Sequence, residues 1–368
     1  MEGALGAATF ENLIPETVDI LFIKPLVMKK ITLLAGLALL FFAACQDSSF
    51  DSNPAKYDTG ASLDHSIGGL KLLVASNPAW SYKNLRLYPV VADAGSLQAR
   101  NALPAVKSLA EAMNIQGFRI TERKRFGRSP DAWYNALTVQ NKSQDTIFLM
   151  AGDVVRGGNQ DRVIAYDDIV LPATVKNIPV FCVEAGRSSY YDPEAPMSEK
   201  KLAAFHGYYN VASPQVRKAV YSGNQSGVWD AVASVTAANK AESSTRAYAA
   251  LETENDLKAK RTEYLRFFEG KFTQEQQVVG VVAVCGSTVL GVDIFGRPDL
   301  FQQQINGLMH GYATEAAVSK DTALAATADE LARNAFRSVA RLADQHQNGN
   351  DQAGKFSLND TWLHLYRK

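Results

Sequence analysis

The densest chemistry in the sequence lies between Asp153 and Arg187. The segment MAGDVVRGGNQDRVIAYDD sets Asp153, Arg156, Asn159, Gln160, Asp161 and Arg162 around the pair Gly157-Gly158. Glycines there allow positive φ and close backbone approach, and a glycine-led loop can turn its amides toward an anion. Glu184 and Arg187 then close the apolar run IPVFCVEAGR. Asp293 interrupts the strand-like VLGVDIF, and a carboxylate in such a place must be paired or solvated by a cleft. Read as a site, Asp153, Gly157, Gly158, Gln160, Asp161, Arg162, Glu184, Arg187 and Asp293 form a polar cleft for an anionic group. Read as structure, the glycines make a turn, and pairs such as Arg162–Glu184 or Arg187–Asp293 neutralise buried charge.

Other signatures narrow the chemistry. The sequence has no GxSxG elbow, Walker loop, HExxH or CxxC. Its histidines, at 65, 206, 310, 346 and 364, lack metal-ligand spacing, so no metal and no cofactor is expected. Cys182 leads CVEAGR, one residue short of the oxyanion loop of cysteine phosphatases, and it sits in an apolar run that raises a thiol pKa. Cys285 reads the same way. A disulfide between these two is conceivable in an oxidising compartment. The remaining catalytic reading is a hydrolase, with Asp161 or Glu184 as general base and Arg162 and Arg187 stabilising negative charge.

The N-terminus speaks to location. Met28–Cys45 reads MKKITLLAGLALLFFAAC: two lysines, an uncharged run, then small residues before a cysteine. The run from Ile31 to Ala44 spans about 21 Å as a helix, short of the roughly 30 Å of a bilayer core. Phe42-Ala43-Ala44-Cys45 resembles a bacterial lipobox, although Phe42 stands where an aliphatic residue is usual. The resemblance implies cleavage before Cys45 and its acylation, hence a lipid anchor in the bacterial cell envelope, with the outer membrane as the expected site. Residues 1–27 then precede the true start at Met28, 28–44 form the signal, and 45–69, rich in Ser, Asp and Gly, form a flexible tether.

The body, 70–368, reads as a single α+β domain. Strand signals dominate from Leu85 to Arg187, including LRLYPVVA, FRITER and a hairpin around NKSQD, with a helix expected over 101–113. Ile178–Val183 suits a strand covered on both faces. Helices follow behind Ser226 as N-cap, over 249–269 ending at Gly270, after Pro298, and over 324–342. A hairpin turns at Gly286-Ser287-Thr288, and WLHLY closes the chain as a strand. Strands followed by mixed helices and hairpins make an α+β class. With 38 basic and 38 acidic residues, 46% hydrophobic and 21% charged over 368 residues, the chain is globular and has no general attraction for nucleic acid.

GDVVRGGNQDRVI, IPVFCVEAGR, QSGVWDAV and VLGVDIFG, in that order, resemble the ARG and rhodanese-phosphatase-superfamily-associated domain family. The resemblance spans about Asn84 to Tyr312, extends on to the C-terminal strand, and implies no established reaction. It matches Gly152, Gly157, Gln160 and Arg162 to the first motif and Cys182, Glu184, Gly186 and Arg187 to the second. Gln225 and Trp229 match the third, Asp293 and Phe295 the fourth. Asn159 replaces a usual Lys, and Ser188 a usual aromatic residue. Together these readings make a ligand-binding or scaffold module, its partners the membrane through Cys45 and an unidentified small anion or envelope protein.

Overall fold

A computed structural model describes residues 66–74, 80–101, 103–123, 135–189, 203–273, 277–345 and 349–368. The expected upstream extension, the signal, Cys45 and the tether as far as residue 65 lie outside them. The expected α+β class is the observed one: antiparallel sheets dominate the first half, and helices, a hairpin and closing strands make the second.

The central sheet has eight strands, in the order Ser66–Ile67, Leu70–Leu72, Leu85–Ala92, Val278–Cys285, Thr288–Phe295, Thr361–Arg367 and Ala353–Leu358, with Ser81–Tyr82 also paired to Leu85–Ala92. Every residue of Val278–Cys285 is buried, as a strand with helices on both faces requires. One face, with Leu87, Val281 and Phe295, packs on the helices Asn255–Phe268 and Pro298–Ala316. The other, with Tyr88, Val282 and Ile294, packs on the helix Ala328–Ala340 through Ala332, Phe336 and Val339. Burying a side chain such as Phe301 or Phe336 completely contributes about 1.5–3 kcal/mol.

The second sheet orders six strands as Phe205–Val211, Asp153–Gly157, Arg162–Ile164, Thr174–Cys182, Ala136–Asn141 and Phe118–Glu122. A bridge between Thr121 and Ala204 joins its two outermost strands, so the sheet curls back on itself. Ile120, Leu137, Val139, Val155, Ile164, Ile178 and Val180 fill one side, with Ile147, Leu149 and Val170 of a small three-stranded sheet. Val154, Val163, Phe181 and Val183 point the other way, onto the helices Pro214–Tyr221 and Gln225–Ala238. The alternation of Ile178 and Val180 with Phe181 and Val183 explains why this segment is apolar almost throughout.

Local signals placed most boundaries. Pro298 opens its helix and Gly270 follows one, at φ +70°. The N-cap behind the helix with Val228, Val232 and Val235 is Asn224, whose side chain accepts from the Ser226 and Gly227 amides. The helix expected over 101–113 does not form. A helix ends at Asn101, Lys107–Ser108 pairs in parallel with Ile147–Phe148, and only Leu109–Ala112 is helical. That pairing claims the backbone the helix needed, and Ser108 Oγ restarts a turn by accepting from the Glu111 amide.

Candidate functional site

The glycine-led loop and the end of the apolar strand do come together. The antiparallel register pairs Arg162 with Cys182 and with Val155, so residues 157–162 lie beside 182–187. Gly158 has φ +55°, and a Cβ there would lie 2.5 Å from the Phe205 ring. Only glycine fits.

The charges of this cluster are engaged with one another. Arg187 donates from Nε and Nη2 to Glu184 Oε2 at 2.9 and 2.6 Å, from Nη1 to Gly158 O at 2.7 Å and from Nη2 to Gly157 O at 3.2 Å. Glu184 Oε2 also accepts from the Asp161 amide at 3.0 Å. Asp161 Oδ1 accepts from the Gly157 amide at 2.9 Å and from Arg187 Nη2 at 3.3 Å. Arg162, 2% exposed, reaches Gln160 Oε1 at 2.7 Å, Cys182 Sγ, and Glu122 Oε1 at 3.2 Å. The pairs are thus Arg162–Glu122 and Arg187–Glu184. The amides of Gly157, Gly158 and Asn159 go to Asp161, Ala204 O and Glu122. Gln225 clamps the Cys182 peptide group, accepting from its N–H at 2.8 Å and donating to its C=O at 2.9 Å. Trp229, on the same helix, faces solvent at the edge of a 610 Å³ cavity.

Burial pushes the Asp161 carboxyl up, against the Gly157 amide that favours its charge. Burial also opposes a charge on Glu184, but the hydrogen bonds from Arg187 and the Asp161 amide outweigh it, and its pKa falls below the ordinary carboxylate range. Burial raises both cysteine thiols, and both thiols are free.

Asp153 and Asp293 belong elsewhere. Asp293 lies at the centre of a second buried network. Arg217 holds it with two hydrogen bonds, Nη1 to Oδ2 at 3.0 Å and Nη2 to Oδ1 at 2.6 Å, and the Tyr312 hydroxyl donates to Oδ2 at 2.6 Å. His364 bridges two carboxylates, with Nε2 3.3 Å from Asp293 Oδ1 and Nδ1 2.7 Å from Asp167 Oδ2. Burial opposes charge on Asp293, yet Arg217 and His364 hold its pKa well below the usual range. Burial opposes charge on His364 too, but its two carboxylate neighbours raise it to about 8. Asp153, fully buried, accepts from the Met150 amide and the Tyr208 hydroxyl, and burial pushes it up to about 7.

The sequence reading missed Glu122, Asp167, Arg217 and His364. Two signals were there to use. Arg217 sits beside Val216 on a helix whose other inward residue is Val220, and His364 stands in the middle of the apolar run WLHL. Gly152 is the link between its motif and this network: it has φ +100°, and a Cβ would lie 2.8 Å from Arg217 Cγ. Gly152→Ala is therefore expected to cost about 1–3 kcal/mol, read as a lower urea midpoint; an unchanged midpoint would mean that Arg217 can move aside.

Next to Arg217 is a 310 Å³ cavity whose lining includes Lys218, Tyr221, Arg367, Lys368 and Glu315. Lys218 and Arg367 have no ion-pair partner among the described residues. Arg217 is neutralised by Asp293, and Lys368 Nζ donates to Asn350 O at 2.8 Å. Among the described residues, no group of His, Cys, Asp and Glu is arranged to hold a metal ion, and no helix is long and apolar enough to cross a membrane.

A sequence profile for the ARG and Rhodanese-Phosphatase-superfamily-associated Protein domain matches residues 74–365. Comparison with curated proteins and with solved structures gave no match.

Proposed function

We propose, for a chain that belongs to the ARG and Rhodanese-Phosphatase-superfamily-associated Protein domain family, the role of a lipid-anchored binding or scaffold module of the bacterial cell envelope. The family description carries no reaction. The anchor rests on the sequence from Met28 to Cys45 and would be acyl chains on Cys45, with the outer membrane as the expected home. Cys45→Ala is expected to abolish labelling by a fatty-acid analogue; persistent labelling would overturn the anchor.

The binding reading takes an anionic ligand. Its main support is the 310 Å³ cavity beside Arg217, where Lys218 and Arg367 are exposed and make no ion pair among the described residues. The motif arginines support it differently. Arg162 and Arg187 are held by Glu122, Glu184 and backbone carbonyls, so they brace the frame in which the cavity is cut. Unpaired cations in a concave site attract anions and focus the local field. Inorganic phosphate and acetate, titrated calorimetrically, are expected to bind the wild-type protein. The double variant Lys218→Glu/Arg367→Glu is expected to lose that binding while keeping its thermal midpoint. Equal binding by the variant would refute this location.

A second reading, hydrolysis, has its own observation. Asp161 and Glu184 share one network, and their environments drive their pKa values apart, the pattern of an acid–base pair. In it Asp161 or Glu184 is the base, and Arg162 and Arg187 steady negative charge. Turnover of a phosphate or carboxylic ester by the wild type, lost in Asp161→Asn with the fold intact, would establish it. No turnover across both ester classes would leave the binding reading in place.

A further inference from the structure

The cationic cavity adjoins another. A second cavity of 240 Å³ shares Gln215, Thr288, Leu290 and Glu315 with it. The two are compartments of one trough, walled by the helices Pro214–Tyr221 and Gln225–Ala238, the strand Thr288–Phe295 and the last turn of Pro298–Ala316.

Charge is uneven along this trough. The first compartment is lined by Arg217, Lys218, Arg367 and Lys368, with Glu315 as its one acidic residue. The second compartment has no basic residue in its lining; Glu315 is again the acidic one, and Asn239, at the end of the helix Gln225–Ala238, also lines it. Asn239 is 5% exposed, and its amide nitrogen donates to Val235 O. Its Oδ1, and Glu315 Oε2, are buried with no hydrogen-bond partner. A buried acceptor without a donor is costly, which makes it a place where a ligand N–H is rewarded. Phosphate or acetate would fill the cationic compartment only. A molecule matched to the whole trough carries an anion at one end and a strong donor at the other.

We infer that the trough binds a short peptide with free ends, its carboxylate between Lys218 and Arg367 and its ammonium on Glu315 Oε2 and Asn239 Oδ1. This rests on the anionic-ligand reading of the cationic cavity and adds the second end. Leu290 is the apolar residue of the shared lining, where side-chain bulk would lie. Binding needs no covalent step.

The test compares three probes on the full-length protein by calorimetry: Gly-Leu, N-acetyl-Gly-Leu and acetate. Gly-Leu is expected to bind more tightly than its acetylated form by about tenfold or more, since a charge-assisted hydrogen bond contributes about 1.5–3 kcal/mol. Glu315→Gln should weaken Gly-Leu and leave the acetylated probe unchanged, and the wild-type comparison of probes stands even if that variant folds poorly. Equal affinity for Gly-Leu and its acetylated form would overturn the ammonium end and keep the anion site. Binding of none of the three would overturn both.

Discussion

Arg217→Ala is expected to lower the free energy of unfolding by about 3–5 kcal/mol, because it leaves the buried Asp293 carboxylate without its main partner. Asp293 is 0% exposed, and Arg217 supplies two of its hydrogen bonds. His364 would remain, yet it is shared with Asp167. Urea titration reads the loss directly. The double variant Arg217→Met/Asp293→Leu is expected to unfold at higher denaturant than Arg217→Ala, since removing both members of a buried pair is gentler than removing one. A small loss for Arg217→Ala, below about 1 kcal/mol, would mean that water enters beside Asp293.

The other large effect is on pH. A His364 pKa raised from 6.5 to about 8 gives stability that is complete below pH 6.5 and is lost as pH rises through 8. The shift corresponds to about 2 kcal/mol. Asp153 acts in the same direction lower on the scale. Its folded pKa, about 7 against 3.8, means that the folded state holds a proton the unfolded chain has released. Stability therefore declines from pH 4 to 7 on its account. Asp161 and Glu315, also raised by burial, reinforce that decline. Asp293, Glu184 and Glu252 act in the opposite sense, stabilising above the ordinary carboxylate range and losing that contribution as pH falls through their lowered values. Burial lowers His310 too, so its contribution is lost as pH falls through 6.5, a smaller effect opposed to those of His364 and Asp153. The protein should thus be most stable in mildly acidic solution and weaker at pH 8.5 than at pH 5.5. Asp153→Asn should flatten the profile between pH 4 and 7, and His364→Gln should remove the step between 6.5 and 8. A wild-type profile that rises from pH 5.5 to 8.5 would contradict both assignments.

How much of this was legible in the sequence depends on range. The class, the hairpin at Gly286, the helix after Pro298 and the closing strand follow from turn residues and periodicity, which are local. The helix expected over 101–113 failed because a pairing with Ile147–Phe148, some forty residues on, overrode its propensity. The polar cluster was half legible. Gly157–Arg162 and Glu184–Arg187 do meet, since both end adjacent strands of one sheet. Which acid meets which base was not: Glu122 comes to Arg162 from the far end of the sheet as it curls. Asp293 announced a need for a partner, but nothing local links it to Arg217 or His364. A charge tells its own requirement, and the topology decides what fulfils it.

His364 lies on the strand Thr361–Arg367, and it is the cation between Asp167 and Asp293. During synthesis Asp167, Arg217 and Asp293 all emerge long before it. Until that strand is added, two carboxylates and one guanidinium would have to enter the interior unbalanced, a strong bar to early collapse around them. Folding around this network therefore waits for the strand that carries the histidine. A chain cut short before Thr361 should be an easy target for proteases, because among the described residues only His364 pairs with Asp167.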